Sequence, residues 1–356
     1  MDQVAPAVPT LVPNATWSVQ IRANGAHPAA TDRWVNVVGI DGADDLDDWA
    51  RRFATTGRVT LNFHPDRVTR AGTTVASGLR IDGRYRSQWS TGISNGSRSA
   101  MPGGDRHSFE QRLFDGAYAG ADPDRVEMPV YGAFDLLRDP HGGSPRFGSC
   151  YVVLADSVRS RTTLCLGDSN LHPSDVGTFD SPWSILAGLA EQAGTGRLLD
   201  RPLDLGDLRR VLAGAPASAE PARCVDGYIE AQVHGGVDLR RDVEAIVLDP
   251  SFAGTEVEDE MAAAAVRYGF ALRWHGGSEL EVERVPHDFR GPTMPGLARR
   301  IAGAHGVIDA CAIGRAARGL VVGEPLPGGD AADSAVQQLK YLWHTLLVHG
   351  RDRASA

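Results

Sequence analysis

Lysine and cysteine are both scarce in this 356-residue sequence. Lys340 is the single lysine among 36 basic residues, and with abundant alanine and glycine this is typical of a GC-rich coding sequence. Cys150, Cys165, Cys224 and Cys311 stand far apart and form no C-x-x-C pair. Neither a zinc ribbon nor a dense disulfide framework is therefore predicted, and a reducing compartment fits this cysteine usage best.

Long hydrophobic runs and long basic runs are absent as well. No apolar stretch is long enough to cross a bilayer, and the N-terminal residues lack the basic start and apolar core of a Sec signal. The formal net charge of -9 argues against an electrostatic grip on nucleic acid or anionic lipid. We therefore expect no nucleic-acid or membrane partner, and a location in the cytoplasm of the producing cell or export by a non-Sec route.

Several common catalytic signatures are missing. The sequence contains no G-x-G-x-x-G, no P-loop and no H-E-x-x-H string, which argues against dinucleotide-fold, Walker-type and zinc-peptidase chemistry. The 11 histidines are scattered singly, so no metal site is predicted. One nucleophile hypothesis remains, in which Cys150 would use His234 or His141 as its base. A cysteine that enters an apolar strand is more often a core residue.

Short β-branched or aromatic runs bounded by Gly, Pro and Asp predict the strands. They are 59–63, 129–137, 150–155, 162–166, 228–233 and 245–249. Helices are predicted between and after them at 44–56, 108–116, 256–268 and 334–349. Thr255 and Glu258 have the spacing of a capping box for the third of these helices. The mixed order of strands and helices favours an α+β fold over a doubly wound α/β fold.

The chain is divided into three parts by composition. Residues 1–33 are rich in Pro and Ala with little periodicity, which predicts an N-terminal arm that is ordered only by docking. Residues 34–330 form the main predicted domain, with a small helical insertion at about 181–223. Residues 331–356 form a C-terminal helix and tail.

Four segments are dense in Gly, Ser, Asn, His and Arg where a core would use apolar residues. They are FHPDR (63–67), YRSQWSTGISNG (85–96), GGSPRFGSC (142–150) and YIEAQVHGG (228–236). In the second, small hydroxyls and glycines follow Trp89, which suits a flat amide-bearing ring held by backbone hydrogen bonds. In the fourth, strand alternation places Tyr228, Glu230 and Gln232 on one face. Together these segments predict a ligand site.

This order resembles the Arg–Ser–Glu pattern of ADP-ribosyltransferases. More specifically, FHPDR, QWSTGISNG, the 132–154 segment, YIEAQVHGGVDL and DFRG (288–291) are similar to the CteC-like (CHARM) family of bacterial effector toxins, which ADP-ribosylate a threonine of ubiquitin. The resemblance spans about residues 58–317. It implies an ADP-ribosyltransferase-type split β-sandwich with flanking helices, NAD as cosubstrate and ubiquitin as the protein substrate.

The resemblance also implies roles for individual residues. The catalytic candidates are Glu230, Gln232 and His64, and the candidates for binding NAD are Arg67, Ser90, Thr91, Gly92, Asn95, Arg146 and Tyr228. Arginine-directed transferases carry Q/E-x-E on this strand, whereas here the string is E-A-Q, which fits a hydroxyl acceptor better than a guanidinium acceptor. A carboxylate near the ribose stabilises oxocarbenium character, as in glycoside cleavage, and Glu230 is the candidate for this role.

Alternatives remain open at this point. Three residues are candidates for the base that removes the proton from the threonine hydroxyl: His64, His234 and Glu230. An NAD glycohydrolase, or a transferase with another acceptor, would use the same cleavage chemistry without ubiquitin. A non-catalytic nucleotide- or protein-binding module would use the same segments without any reaction.

Overall fold

A computed structural model describes residues 11–39, 46–93, 100–123, 126–217, 223–302, 305–321 and 332–353. The helices are α1 (Leu11–Val38), α2 (Leu46–Thr56), α3 (Val75–Asp82), α4 (Gln88–Thr91), α5 (Asp105–Leu113), α6 (Trp183–Gly194), α7 (Leu205–Leu212), α8 (Leu239–Asp242), α9 (Glu256–Tyr268), α10 (Met294–Ala302), α11 (Ala310–Val321) and α12 (Ala332–His349). The strands are β1 (Arg58–Phe63), β2 (Arg84–Tyr85), β3 (Val130–Asp135), β4 (Cys150–Leu154), β5 (Thr162–Leu166), β6 (Val176–Thr178), β7 (Ile229–Val233), β8 (Val237–Asp238), β9 (Val243–Leu248), β10 (Ala271–Trp274), β11 (Glu279–Glu281) and β12 (Val307–Asp309). Within these ranges no helix has both the length and the apolar character needed to cross a membrane.

Eight strands form one mixed sheet in the order β10-β9-β4-β1-β3-β7-β5-β6. Strand β10 runs parallel to β9, whereas the other neighbouring pairs are antiparallel. Two further sheets of two strands each are β11-β12 and β2-β8. The predicted α+β class is confirmed, because a doubly wound fold would be built on a parallel sheet.

The predicted strands all occur, and their ends agree with the prediction to within two residues. The cap predicted for α9 differs in detail. Thr255 accepts a hydrogen bond from the backbone N–H of Val257, as an N-cap residue does. Glu258, however, accepts from the backbone N–H of Gly254 at 2.7 Å, one residue before the cap, so the reciprocal half of the predicted capping box is displaced.

The sheet has one apolar face and one polar face in its centre. On β7, Ile229, Ala231 and Val233 are fully buried in the main hydrophobic cluster, as the alternation predicted. Glu230 and Gln232 therefore lie on the opposite face. Directly opposed residues of antiparallel strands share a face, so this polar face also carries the strand neighbours of Gln232, which are Tyr131 and Thr163.

The N-terminal segment, residues 1–33, was predicted as an arm of little periodicity that is ordered only by docking, and the structure describes a helix over residues 11–38. These residues form α1, which packs against α6. The helix buries a stripe with helical spacing, made of Ala15, Val19, Ala23, Ala30 and Trp34. Three of these five are alanines, which carry little hydrophobic signal, and the helix continues through a proline because tertiary packing outweighs local propensity. Residues 1–10 lie outside the described part of the chain.

The predicted helical insertion contains helices α6 and α7 at the expected positions. It is not an appendage, because Ile185, Leu186 and Leu189 of α6 are fully buried in the main hydrophobic cluster. Arg33 of α1 forms ion pairs with Asp175 at 2.6 Å and with Glu191 of α6 at 2.7 Å. Helix α6 is therefore an internal layer between α1 and the sheet.

The sheet opens between its two central strands. Strands β1 and β3 pair at only three positions, Arg58↔Asp135, Val59↔Phe134 and Thr60↔Ala133. Beyond these pairs β1 follows β4 and β3 follows β7, and no ladder pair joins residues 61–63 to residues 130–132. Gly132 lies where the strands separate, and a Cβ atom there would lie 2.2 Å from the carbonyl oxygen of Thr60, so only glycine fits. The separation leaves a cleft between the two halves of the sheet.

Candidate functional site

A cleft of about 710 Å³ occupies the opening between β1 and β3. Its walls include Phe63 at the end of β1, Val130 and Gly132 of β3, and the one-turn helix α4. Six of the predicted site residues line it: His64, Arg67, Ser90, Thr91, Arg146 and Glu230. Segments that are far apart in the sequence thus meet at one place, as predicted.

Three other predicted residues are described but do not line the cleft. Gln232 is fully buried behind Glu230, and Tyr228 is buried with its ring edge-on to Phe147 at 5.7 Å. Gly92 ends α4 with a φ of 69°, and a Cβ atom there would lie 3.0 Å from the Arg70 Nε, so its role is to end the helix. Asn95 lies outside the described residues.

Glu230 is the buried carboxylate of the cleft. Its side chain is only 6% exposed, and it lies between two small strand neighbours, Ala133 and Cys165. Burial, reinforced by the negative charge of Asp168, raises its pKa from 4.5 to about 7. The Gln232 Nε2 donates a hydrogen bond to its Oε1 at 2.8 Å. Glu230 is therefore fixed in position and titrates near neutral pH.

A buried chain of hydrogen bonds supports Glu230 from behind. It joins Tyr118 Oη to His234 Nδ1 (2.8 Å), His234 Nε2 to Thr163 Oγ1 (3.1 Å) and Thr163 Oγ1 to Gln232 Oε1 (2.7 Å). Burial lowers the pKa of His234 to about 3, so its ring is neutral. The Thr163 hydroxyl donates to Gln232, so it accepts from His234, and the unprotonated Nδ1 accepts from Tyr118. Every proton in the chain therefore points toward Glu230.

A second buried glutamate, Glu110 of α5, was not predicted. Its carboxylate accepts from Trp89 Nε1 at 3.1 Å and from Tyr131 Oη at 3.0 Å, and the Arg106 Nη1 lies 3.5 Å away. Burial raises its pKa from 4.5 to about 7. Arg106 and Tyr131 line the cleft, with the guanidinium 4.7 Å from the centre of the tyrosine ring. Glu110 thus fixes two residues of the cleft wall. Two of its partners, Trp89 and Tyr131, come from other segments of the chain, so no local sequence signal identifies this site.

The end of β1 contributes a neutral histidine and a free arginine. Burial and the neighbouring Arg67 lower the pKa of His64 to about 3. Its ring lies edge-on to Trp343 of α12 at 5.2 Å, and the Ser149 Oγ lies 3.5 Å from its Nδ1. The guanidinium of Arg67 makes no side-chain hydrogen bond or ion pair within the described part of the chain; burial lowers its pKa, and the neighbouring Asp66 carboxylate offsets part of this shift. Arg67 is therefore available to an anionic ligand.

Helix α4 presents the predicted Ser-Thr pair. The Thr91 hydroxyl donates to the carbonyl of Ser87 at 3.1 Å, and the Thr91 carbonyl accepts from the backbone N–H of Arg70 at 2.9 Å. These bonds tie α4 to the loop after β1. Ser90 is exposed at the cleft, with its hydroxyl 3.5 Å from that of Ser87. The Ser90 hydroxyl is therefore the one accessible to a ligand.

The cleft is basic although the chain as a whole is acidic. Among its described lining residues, the cationic ones are Arg67, Arg84, Arg86, Arg106, Arg146 and Lys340. The carboxylates are Asp82, Asp168 and Glu230. Arg84, Arg86, Arg106 and Arg146 are each paired with a carboxylate, so Arg67 and Lys340 are the cations most available to an anionic ligand. The only lysine of the sequence lies in this cleft, a placement that its isolated position in the sequence does not indicate.

The alternative nucleophile does not have the properties that such a role needs. Cys150 is fully buried in the main hydrophobic cluster, and burial raises the pKa of its thiol well above the usual value. A reactive cysteine requires a lowered thiol pKa and access to solvent. Among the described residues no group of three or more His, Cys, Asp or Glu side chains has an arrangement that could hold a metal ion.

The fold and the cleft define an α+β protein with a basic ligand site in an opened sheet. Residues 58–349 match a family described as a protein of unknown function (DUF3626), and the chain belongs to this family. A stretch of 190 residues, 51% of this chain, is 28% identical to the Gene 2 protein of Mycobacterium phage L5 and covers 65% of that protein. The chain thus spans slightly less than two thirds of the length of this relative. The family description names no activity, so inferences about function depend on the site.

Proposed function

We propose that the chain is a mono-ADP-ribosyltransferase that transfers ADP-ribose from NAD to a threonine hydroxyl of ubiquitin and releases nicotinamide. The observation that carries this proposal is Glu230. It is a buried carboxylate in a basic cleft, and its pKa of about 7 places its titration near neutral pH. Acidic side chains that lie in a cleft and have a shifted pKa are typical of catalytic sites.

The arrangement of the cleft supports an ADP-ribosyltransferase type of split sheet. Basic residues follow β1, a Ser-Thr pair lies on α4, and the glutamate lies on the late strand β7, which is the order of the Arg–Ser–Glu pattern. The opening between β1 and β3 brings these three segments to one cavity. A ligand held in such a split is what the resemblance implies, although the eight strands form one sheet and not two facing sheets.

The residues present fit NAD. The volume of about 710 Å³ is within the usual range of ligand pockets, roughly 300 to 1,000 Å³. Arg67 has no partner in the described part of the chain, and the Nε of Arg146 is buried without a hydrogen-bond acceptor. Arg67 and Arg146 would hold the pyrophosphate, and Ser90 and the backbone around it would hold the carboxamide.

Glu230 would stabilise positive charge in the transition state. When bound, NAD supplies a nicotinamide–ribose bond whose cleavage develops oxocarbenium character at the ribose. The ionised carboxylate of Glu230 lowers the energy of that charge, and its low-dielectric surroundings strengthen the interaction. Gln232 holds one carboxylate oxygen in place, so its role is to position Glu230 and not to contact the ribose.

The structure reduces the choice of base for the acceptor hydroxyl. His234 is fully buried, and both its ring nitrogens are engaged, with Tyr118 and with Thr163, so it is not available to an acceptor. His64 and Glu230 both line the cleft and remain candidates. The choice of ubiquitin as acceptor rests on the family resemblance of the sequence.

Intact mass spectrometry of ubiquitin tests the proposal directly. Purified protein is incubated with NAD and ubiquitin, and we expect ubiquitin to gain the mass of one ADP-ribose. Glu230→Gln should lower the rate of nicotinamide release by on the order of 10² to 10⁴. The matched control is Glu283→Gln, at an exposed glutamate that does not line the cleft, which should react like wild type.

The same experiment separates the alternatives. Nicotinamide release without modified ubiquitin would retain the catalytic role of Glu230 and reject the acceptor, as for a glycohydrolase or for a transferase with another substrate. Tight NAD binding without nicotinamide release would reject the enzyme and favour a binding module. Equal rates for wild type and Glu230→Gln would reject the assignment of Glu230.

A further inference from the structure

Two arginines and the only lysine come together beside the cleft. Arg146 lies in the segment after β3, Arg290 in the loop before α10, and Lys340 on α12. The Nη1 of Arg146 lies 2.9 Å from the Oδ1 of Asp226, and the Nη2 of Arg290 lies 3.4 Å from the Oδ2 of the same carboxylate. One carboxylate thus bridges two guanidinium groups.

The fold fixes this cluster firmly. The indole of Trp343 on α12 donates to the carbonyl of Pro145 at 2.9 Å, which ties the helix carrying Lys340 to the segment carrying Arg146. The guanidinium of Arg290 lies 5.8 Å from the ring centre of Tyr341. Arg290 also has a φ of 59°, a conformation that is uncommon for a residue with a side chain and that recurs at functional sites.

The donors of the cluster outnumber their acceptors. The Nε atoms of Arg146 and Arg290 are buried and have no hydrogen-bond partner. His344 is 1% exposed, and burial together with the neighbouring cations lowers its pKa to about 3, so its ring is neutral and offers only one donor. The Lys340 ammonium makes no hydrogen bond or ion pair with the described residues, and burial together with Arg146 lowers its pKa. Buried donors normally have partners, so an acceptor is missing here.

The carboxylates nearby do not supply that acceptor. The side chain of Asp226 is 55% exposed, so its carboxylate reaches the guanidinium groups of Arg146 and Arg290 from the solvent side. Asp168 contributes negative charge near Lys340, but it also faces Glu230, whose pKa it raises. A group with several oxygens on one centre would satisfy guanidinium and ammonium donors together, and phosphate has this geometry.

We infer that Arg146, Arg290 and Lys340 form a binding site for the phosphates of a nucleoside diphosphate, and that Asp226 occupies this site in the free protein and is displaced by the ligand. The inference deepens the proposed function, because it adds Arg290 and Lys340 to the arginines that would hold the pyrophosphate of NAD, and it rests on that function for the identity of the natural ligand. The cluster adjoins the cleft, because Arg146 and Lys340 line it.

Calorimetric binding of ADP to two variants with opposite expected effects tests the site. Lys340→Gln removes a cation, and we expect it to weaken ADP binding on the order of tenfold, as the loss of one charged hydrogen bond does. Asp226→Asn removes the competing carboxylate, and we expect it to tighten ADP binding several-fold. Arg273→Gln, at an exposed arginine of β10, is the charge-matched control and should bind like wild type.

Two further probes identify the group that is recognised. Inorganic pyrophosphate should respond to the same variants as ADP, whereas adenosine should bind with an affinity that Lys340→Gln does not change. The site is overturned if Lys340→Gln and Asp226→Asn both bind ADP like the control, or if both weaken it. It is also overturned if adenosine loses affinity in parallel with ADP. Thermal unfolding of each variant shows whether the fold is retained.

Measurement of nicotinamide release keeps this inference separate from the proposed function. If the two variants shift ADP affinity in opposite directions and wild type releases no nicotinamide, the phosphate site stands and the transferase is rejected. If wild type releases nicotinamide and Lys340→Gln leaves its KM for NAD unchanged, the transferase stands and the phosphate site is rejected.

Discussion

Glu230 combines a position in the cleft with an environment that disfavours its charge. Its pKa of about 7 lies above the ordinary value of 4.5, because burial and Asp168 both disfavour the ionised form. In the unfolded chain the same group ionises near its ordinary pKa. Between these two values the native protein binds more protons than the unfolded chain, so the free energy of unfolding falls as pH rises from about 4.5 to about 7. Glu110 adds a contribution of the same sign.

Removal of this charge should stabilise the fold. We expect Glu230→Gln to raise the free energy of unfolding by on the order of 2 kcal/mol at about pH 8, because glutamine is a neutral isostere that still accepts from Gln232. Near pH 4 the variant and the wild type should be similarly stable. Urea denaturation at both pH values measures this, and a variant less stable than wild type at the higher pH would contradict the prediction.

At the scale of secondary-structure elements, the support for Glu230 crosses strands β5 and β7. Thr163 of β5 is the one link in the hydrogen-bond chain that both accepts from His234 and donates to Gln232. Without its hydroxyl the amide of Gln232 is free to turn its oxygen toward Glu230. A carboxylate that loses a hydrogen-bond donor becomes easier to protonate, so its pKa rises.

Thr163→Val and Thr163→Ser form a matched pair that tests this role. The valine variant should move the acid limb of the pH profile for nicotinamide release upward by about one pH unit, whereas the serine variant, which keeps the hydroxyl, should not. A titration of the glutamate side chains by NMR, with Glu230→Gln used to assign the signal, gives the same comparison without turnover. Equal titration curves for the two variants would show that the chain does not orient Glu230.

The sequence predicts those elements whose signal is local. Strand runs such as 150–154 are continuous and apolar, and the alternation around Glu230 places its side chain on the correct face. Helix α1 escaped prediction because its buried stripe consists largely of alanine. Gln232 and Glu230 lie on the same face of β7, and Glu230 alone reaches the cleft. This depends on where β3 separates from β1, which the local sequence does not show. Lys340 enters the site through the packing of α12, which no local pattern reveals.

At the scale of the whole molecule, α1 belongs to the fold. Trp34 is 2% exposed, and its ring lies edge-on to that of Trp49 on α2 at 4.2 Å. The helix also lies against α6, whose residues contribute to the main hydrophobic cluster. Loss of α1 would expose this apolar surface to water.

Two tryptophans of the same helix provide a test. Trp34→Ala should lower the free energy of unfolding by about 3 to 5 kcal/mol, as the truncation of a large core side chain does. Trp17 is 65% exposed, and Trp17→Ala should change the free energy of unfolding by no more than about 0.5 kcal/mol. Urea denaturation measures both values. Similar small effects for the two variants would mean that α1 is not part of the cooperative unit.

The opening of the sheet has a consequence for how recognition in the cleft can be studied. Along residues 61–63 and 130–132 the facing sides of β1 and β3 have no ladder partner. A planar amide inserted between them would therefore hydrogen-bond to the backbone as a neighbouring strand does. Main-chain N–H and C=O groups make such bonds, and they are the same whatever the side chain. Alanine substitution of the other residues along these strands would therefore leave this part of recognition intact, whereas alanine at Gly132 would disturb the strands themselves. Only a change in the ligand, such as methylation of its amide nitrogen, would remove it.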